Sequence, residues 1–302
     1  MTIKNFQQLI ERVSNFEEKK KVIVVAAHDE HTLEAVFKAK GDNLVEPVLI
    51  GDKEKIEEIL KKHGFTLGEE SIIHIPDERE AAYKTVELIN EKKADFIMKG
   101  KIQTADLLKA VVDKEKGIRT GRLMTHFAIL EVPAYHKLLV ITDGGMVMYP
   151  TLEQKKGIIQ NAVDVLLSLG YEKPKVGVLA AVETANPKMP EAVDGAELKK
   201  MAERGEIENC IVEGPISYDL SMSKESAEIK GYDSPVVGDV DVLIAPNIAT
   251  GNVLAKSLIY SGNAKMAGFI VGAKVPVILT SRGSTSEEKY LSIVLAAAVN
   301  MQ

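Results

Sequence analysis

The sequence predicts an α/β protein with mostly parallel sheets, and three observations lead there. Apolar runs such as 22–27 (Val-Ile-Val-Val-Ala-Ala) are too continuous for half-exposed strands and suit parallel strands covered on both faces. Segments with helical spacing alternate with such runs along the chain, which implies right-handed crossovers and a doubly wound sheet. With 302 residues the chain can bury a large core, as two domains or as one large α/β unit.

In chain order, Phe6, Leu9, Ile10, Val13 and Phe16 recur at three- and four-residue steps and predict an amphipathic helix. The strand at 22–27 is followed by a helix near 30–39, a strand at 47–51, a helix carrying Ile56, Ile59 and Leu60, and a short strand at 72–75. A helix over 78–92 leads into a strand at 94–98, and a further helix contains Leu107, Leu108 and Lys109. Strands are read at 127–130 and 138–142, where Leu138-Leu-Val-Ile-Thr runs into an Asp-Gly-Gly turn whose glycines can take backbone angles closed to other residues. Thr151 is the expected N-cap of a long helix with Ile158, Ile159, Ala162, Val163 and Leu166 inward. Further strands fall at 176–180, 210–212, 240–244 and 268–271, and Asn186-Pro-Lys-Met-Pro190 reads as a loop.

Composition excludes several classes of function. No apolar run reaches the roughly 18 residues of a membrane helix, and the first residues lack a signal-peptide pattern. The lone Cys210 cannot form an internal disulfide and lies in an apolar strand, where an inert thiol is expected; a reducing cytoplasm fits best. A net charge of −6 and the absence of tryptophan give no support to nucleic-acid binding. The histidines at 28, 31, 63, 74, 126 and 136 show no HExxH spacing, and His28 and His31 read as residues of a helix start, so no metal site is expected. GxSxG, GxxxxGK[ST] and GxGxxG are all missing, which argues against nucleotide triphosphatases and common dehydrogenases.

Anion binding is the chemistry that does stand out. Val275-Pro-Val-Ile-Leu-Thr feeds Ser281-Arg282-Gly283 and then a helix through Leu291, Val294 and Leu295. A Gly/Ser turn at a helix N-terminus leaves backbone N–H groups unpaired at the positive end of the helix dipole. Lys99-Gly-Lys101 closes another strand, and open α/β sheets bind ligands at the carboxyl ends of their strands. Arg119 and Arg122 add two cations in the Gly117-Ile-Arg-Thr-Gly-Arg122 loop.

Three ordered segments carry a resemblance: Thr142-Asp-Gly-Gly-Met-Val-Met-Tyr-Pro150, Val212-Glu-Gly-Pro-Ile-Ser-Tyr-Asp219 with Asp233-Ser-Pro-Val236, and Pro246-Asn-Ile-Ala-Thr-Gly-Asn252 with Ser281-Arg-Gly283. With Met98-Lys-Gly-Lys101 they are similar to the phosphate acetyltransferase/phosphate butyryltransferase family. The length and the Lys-Gly-Lys-Ile-Gln-Thr segment resemble the butyryltransferase branch more than the acetyltransferase one.

The resemblance implies reversible transfer of a short-chain acyl group between CoA and phosphate, with CoA and acyl-CoA as substrates and no tightly bound cofactor. It implies Arg282 as a grip on the phosphoryl group, because a planar guanidinium engages two oxygens at once. Ser281 would orient the thiol or donate to the developing oxyanion, and Glu288, seven positions on, would be the general base. Relatives among the acetyltransferases carry aspartate there, so this side chain is one methylene longer. Lys109 stands where they have arginine, and Gly144 where they have serine or cysteine. Asn252 could contact phosphate or acyl carbonyl, or cap the helix through Leu254 and Leu258. Lys99, Lys101, Arg119 and Arg122 are candidates for the CoA phosphates, with Gly283 in the phosphate turn.

As to fold, the resemblance implies two α/β/α domains with an interdomain cleft, of the isocitrate/isopropylmalate dehydrogenase-like type. Residues 1–128 with 274–302 would form the first domain and 129–273 the second. A homodimer or higher homo-oligomer in the cytoplasm is implied too. Two other readings stay open: a metal- and NAD-dependent hydroxyacid dehydrogenase of the isocitrate type, for which Asp239/Asp241 is the one close pair of aspartates, and a non-catalytic phosphate- or CoA-binding protein.

Overall fold

A computed structural model describes residues 3–280 and 283–300. The chain divides into two compact units. A flanking unit comprises residues 6–122 and 267–300, and a middle unit comprises 3–5 and 123–266.

The flanking unit is built on strands β1 (Lys20–Val25), β2 (Val45–Gly51), β3 (Ile72–His74), β4 (Phe96–Lys99), β10 (Lys265–Val271) and β11 (Val277–Ile278). Their order is β3-β2-β1-β4-β11-β10, parallel from β3 to β11, with β10 antiparallel to β11. From Val22 to Ala27 every residue is buried, as a strand covered on both faces requires. Helices α1 (Phe6–Ser14), α2 (Glu30–Gly41), α3 (Lys53–His63), α4 (Glu78–Asn90), α5 (Thr104–Val111) and α11 (Ser286–Ala298) supply the covering layers. Short polar residues set where they begin: Asp29, Asp52, Asp77 and Thr285 each accept a backbone N–H of the first turn. In α11 all ten residues from Lys289 to Ala298 are buried, so this helix is a central element of the unit.

The middle unit orders its strands β5-β6-β9-β7-β8. These are β5 (Thr125–Glu131), β6 (Leu138–Thr142), β7 (Lys175–Leu179), β8 (Ile211–Ile216) and β9 (Val242–Ile244). Only β5/β6 is antiparallel. Five helices accompany them: α6 (Leu152–Ser168), α7 (Pro190–Glu203), α8 (Tyr218–Met222), α9 (Lys224–Lys230) and α10 (Ile248–Gly262). Thr151 caps α6 in a reciprocal box with Gln154, which satisfies two otherwise orphan donors. Leu130, Leu139, Ile141, Val240 and Leu243 lie at the centre of one apolar cluster of this unit.

Two expectations need correction. The expected isocitrate/isopropylmalate dehydrogenase-like architecture of mostly parallel sheets meets a mixed sheet, in which β10/β11 and β5/β6 run antiparallel. Its local reason is that residues 132–137 and 272–276 are too short for a helical crossover, so the strands they join must return antiparallel. Asn186-Pro-Lys-Met-Pro190 does not stay a loop throughout, because Pro190 opens α7, a position where the missing N–H costs nothing.

Candidate active site

On the flanking unit, three chain segments meet where the parallel strands end. The turn after β4 is bonded to the turn after β1: Gly100 N–H donates to Val25 O at 2.9 Å and Lys101 N–H to Ala26 O at 2.8 Å. A Cβ on Gly100 would lie 2.4 Å from Ala26 O, so only glycine allows this approach. Because Ile278 pairs with Met98, the chain leaving β11 emerges beside the same edge. Lys289, 7% exposed, closes the third side: its Nζ donates to Asp29 Oδ1 at 3.3 Å and to Thr32 Oγ1 at 3.2 Å.

Glu288 sits at this edge in the first turn of α11. Its N–H donates to Thr285 Oγ1 at 3.1 Å, and Ser284 Oγ donates to Glu288 Oε1 at 2.7 Å. Burial raises the carboxyl above its ordinary value, outweighing the Ser284 hydroxyl and the Lys289 charge. Such a group exchanges a proton nearer neutral pH than an exposed glutamate. Gly283 is exposed just ahead of it. Ser281 and Arg282 lie outside the described residues.

The remaining cations distribute unevenly. Lys99 ends β4 half-buried, and Lys101 is exposed in the turn that follows. Lys109 is exposed in the last turn of α5, about 8 Å along the helix from Thr104. Arg119 and Arg122 are exposed; the Arg119 backbone bridges Ala273, and Thr120 Oγ1 donates to Gly272 O at 2.6 Å. This anchors the loop at the end of the β11 segment away from Gly283.

On the middle unit, the Asp-Gly-Gly turn is organised by Asp143, 2% exposed. Its Oδ1 accepts from Gly145 N and Met146 N, both at 2.7 Å, and its Oδ2 from His126 N at 2.9 Å. Gly144 and Asn252 are brought together: Asn252 Nδ2 donates to Gly144 O at 3.2 Å. A Cβ on Gly144 would approach Gly251 C at 3.0 Å, which explains glycine there. Asn247, not Asn252, caps α10, accepting from Thr250 N at 3.0 Å.

Asp239 and Asp241 are spoken for by lysines. Lys137 Nζ lies 2.9 Å from Asp239 and 2.7 Å from Asp241, and Lys175 Nζ lies 2.5 Å from Asp239. Two ammonium groups neutralise this pair and leave little attraction for a divalent cation. Glu30, Glu34 and His63 gather between α2 and α3, with Lys62 and His63 both bonded to Glu30. Cys210 is buried and its thiol is pushed up to about 11 by that burial, away from nucleophilic use.

Residues that sequence reasoning missed are Asp29, Ser284 and Lys289. The pattern Thr285-Ser-Glu-Glu288 did signal a capped helix start, but nothing in the order of residues distinguishes a buried lysine at 289 from a surface one.

Residues 77–297 match the family model described as phosphate acetyl/butaryl transferase. The chain belongs to this family. It is 43% identical over 297 residues to the phosphate butyryltransferase of Clostridium acetobutylicum, covering 98% of each chain. To the phosphate acetyltransferase of Thermotoga maritima it is 44% identical over 278 residues, covering 92% of this chain and 94% of the relative. Among solved structures, a branched-chain phosphotransacylase from Enterococcus faecalis V583 aligns with a TM-score of 0.81 at 34% identity, covering 92% of this chain and 98% of that one. The fold is therefore that of the phosphotransacylases, and not the expected isocitrate/isopropylmalate dehydrogenase-like one. The molecule is a phosphate acyltransferase, moving an acyl group between CoA and phosphate, and neither the dehydrogenase nor the non-catalytic reading survives.

Proposed function

We propose that this acyltransferase favours butyryl and related short chains, and that thiolate attack within a ternary complex carries the reaction. The single observation that carries the reading is Glu288: a carboxyl raised by burial, beside the Gly283 turn, on a strand edge furnished with Lys99 and Lys101. In the direction of acyl phosphate consumption, Glu288 takes the proton of the CoA thiol. The sulfur attacks the acyl carbonyl carbon, the bond from that carbon to the phosphate oxygen breaks, and phosphate leaves with the electron pair. Arg282, Lys99 and Lys101 stabilise the departing dianion, and Ser281 and Gly283 supply donors at the turn. Gly144 and Asn252 are assigned to the phosphate or acyl carbonyl, Arg119 and Arg122 to the CoA phosphates, for which Lys99 and Lys101 are candidates as well, and Lys109 to substrate binding. Holding both substrates together supplies much of the remaining rate enhancement, so no covalent enzyme intermediate and no tightly bound cofactor are needed.

The preference for butyryl rests on the Lys-Gly-Lys-Ile-Gln-Thr segment, the shared length with the butyryltransferases, and the branched-chain relative. Near-equal identity to an acetyltransferase leaves pocket chemistry as the deciding property. The decisive experiment follows phosphate-dependent thiol release over linear and branched C2–C6 acyl-CoA. A kcat/KM maximum at C4 is expected; a maximum at C2 removes the butyryl preference.

We also infer a homodimer working in the cytoplasm. No helix among the described residues is long and apolar enough to cross a membrane. Helix α10 supports self-association: Gly251 is its one buried residue, while Val253 is 63% and Tyr260 78% exposed. Light scattering tests it, and a monomer at micromolar concentration would remove the inference.

A further inference from the structure

His28 stands in the turn between β1 and α2, and that turn is held by four independent features. Ala26 takes φ 51°, a region that disfavours every side chain but glycine's absence of one. Lys101 N–H bonds its carbonyl, Ala27 N–H donates to Ile50 O at 2.9 Å, and Asp29 N–H donates to Ala27 O at 2.8 Å. Glycines at the ends of two neighbouring strands make the room: besides Gly100, a Cβ on Gly51 would come within 3.1 Å of Ala27 N and 3.2 Å of His28 Nδ1.

The outcome of this construction is an imidazole left unsatisfied. Its Nδ1 is buried and has no hydrogen-bond partner, a costly state that calls for a reason. Burial first, then the charges of Lys55 and Lys101, hold the ring below its ordinary basicity against the opposing pull of Asp52 and Glu78. These influences favour the neutral ring, with a single N–H among ammonium groups. With Nδ1 enclosed, Nε2 is the nitrogen left to meet a ligand. A neutral donor flanked by cations suits an anionic oxygen, since it adds a directed bond without repelling the lysines. The adjacent Asp29, tied to Lys289, fixes the turn to the helix that bears Glu288.

We propose that His28 is a further ligand-contacting residue of the reaction, donating from Nε2–H to a phosphoryl oxygen of the substrate held beside Lys101. This rests on the assignment of the strand edge as the anion site. The oxygen can belong to the transferred phosphate or to CoA, and kinetics separate the two.

The test compares His28→Ala, His28→Gln and His28→Asn in the full-length enzyme, measuring kcat, the KM for phosphate and for butyryl-CoA, and the melting temperature. Glutamine presents an N–H near the Nε2 position and asparagine does not. His28→Ala and His28→Asn are expected to raise the KM for phosphate about ten- to a hundredfold, with His28→Gln restoring most of it. A rise confined to butyryl-CoA also supports the contact and moves it to the CoA phosphate. Unchanged constants in all three variants, or equal losses in all three that track melting temperature, overturn the proposal. Titrating wild-type protein with inorganic phosphate, and separately with CoA, while observing the His28 ring nitrogens by NMR is independent of turnover. A perturbed ring in a protein lacking phosphate-dependent CoA release sinks the acyl-transfer reading alone; normal turnover with a ring that neither phosphate nor CoA perturbs sinks the His28 contact alone.

Discussion

Asp29 and Glu288 stand at two helix starts on one edge of the flanking unit, under the influence of the same lysine, and they differ in opposite directions. Burial works to raise both. At Asp29 the Thr32 hydroxyl and N–H and the Lys289 ammonium outweigh it, and the carboxyl ends below its ordinary value. At Glu288 the Ser284 hydroxyl and a more weakly coupled Lys289 do not, and the carboxyl ends above. The difference teaches that a capping position does not by itself define a carboxylate's job. Where pairing outruns desolvation the group is a fixed charge that holds a turn; where desolvation wins, it can take up and return a proton.

The strongest way to break this contrast is Glu288→Gln. Loss of a general base lowers kcat by about 10²–10⁴-fold while CoA binding persists, measured by thiol release and calorimetry. Unchanged turnover would make Glu288 a cap like Asp29. The pH profile sharpens the same point. A base must be deprotonated to act, so activity should climb with pH through a limb above the ordinary glutamate value of 4.5. Ser284→Ala removes a donor that favours the carboxylate, and should move that limb to still higher pH. The linkage to stability also runs in opposite senses. The native state prefers the proton on Glu288, so that contribution is full at low pH and fades as pH rises through its folded pKa. The Asp29 contribution is full above the unfolded carboxyl range and fades as pH falls through its folded pKa.

Smaller effects test the framework beneath the two carboxyls. Gly100→Ala drives a Cβ against Ala26 O and should cost about 1–3 kcal/mol in denaturant unfolding, with activity reduced. Asp29→Ala removes the α2 cap and should cost about 1 kcal/mol, with kcat falling far less than in Glu288→Gln. Ala26→Gly relieves the left-handed backbone and should stabilise by up to about 1 kcal/mol. A destabilised Ala26→Gly would mean that the Ala26 side chain contributes more by packing than its backbone conformation costs.

Strand positions were legible because burial on both faces leaves uninterrupted apolar runs, and β1, β2 and β6 lie where those runs stand. The sheet's mixed character was not, because pairing direction depends on connection length rather than on the strands themselves. Helix α7 is faint in the sequence although Ala192, Gly195, Leu198 and Met201 recur every three residues and are buried; a glycine and an alanine on the inner face dilute an apolar signal. Within the site, Glu288 is reached only through the family resemblance, seven positions after Ser281, and the paired state of Asp29 is not legible at all. Its partner Lys289 lies 260 residues away along the chain, and only packing of α11 against α2 joins them. Asn252 was ambiguous for a similar reason: Asn247 has the same side chain and stands five residues nearer the helix start.

The contact between Gly144 and Gly251 has a mechanical consequence. With backbone against backbone and the Asn252 amide bonded across, the Asp-Gly-Gly turn and the first turn of α10 form one stiff lever. Any displacement of the turn would be carried along a helix about 22 Å long to Tyr260 at its far end.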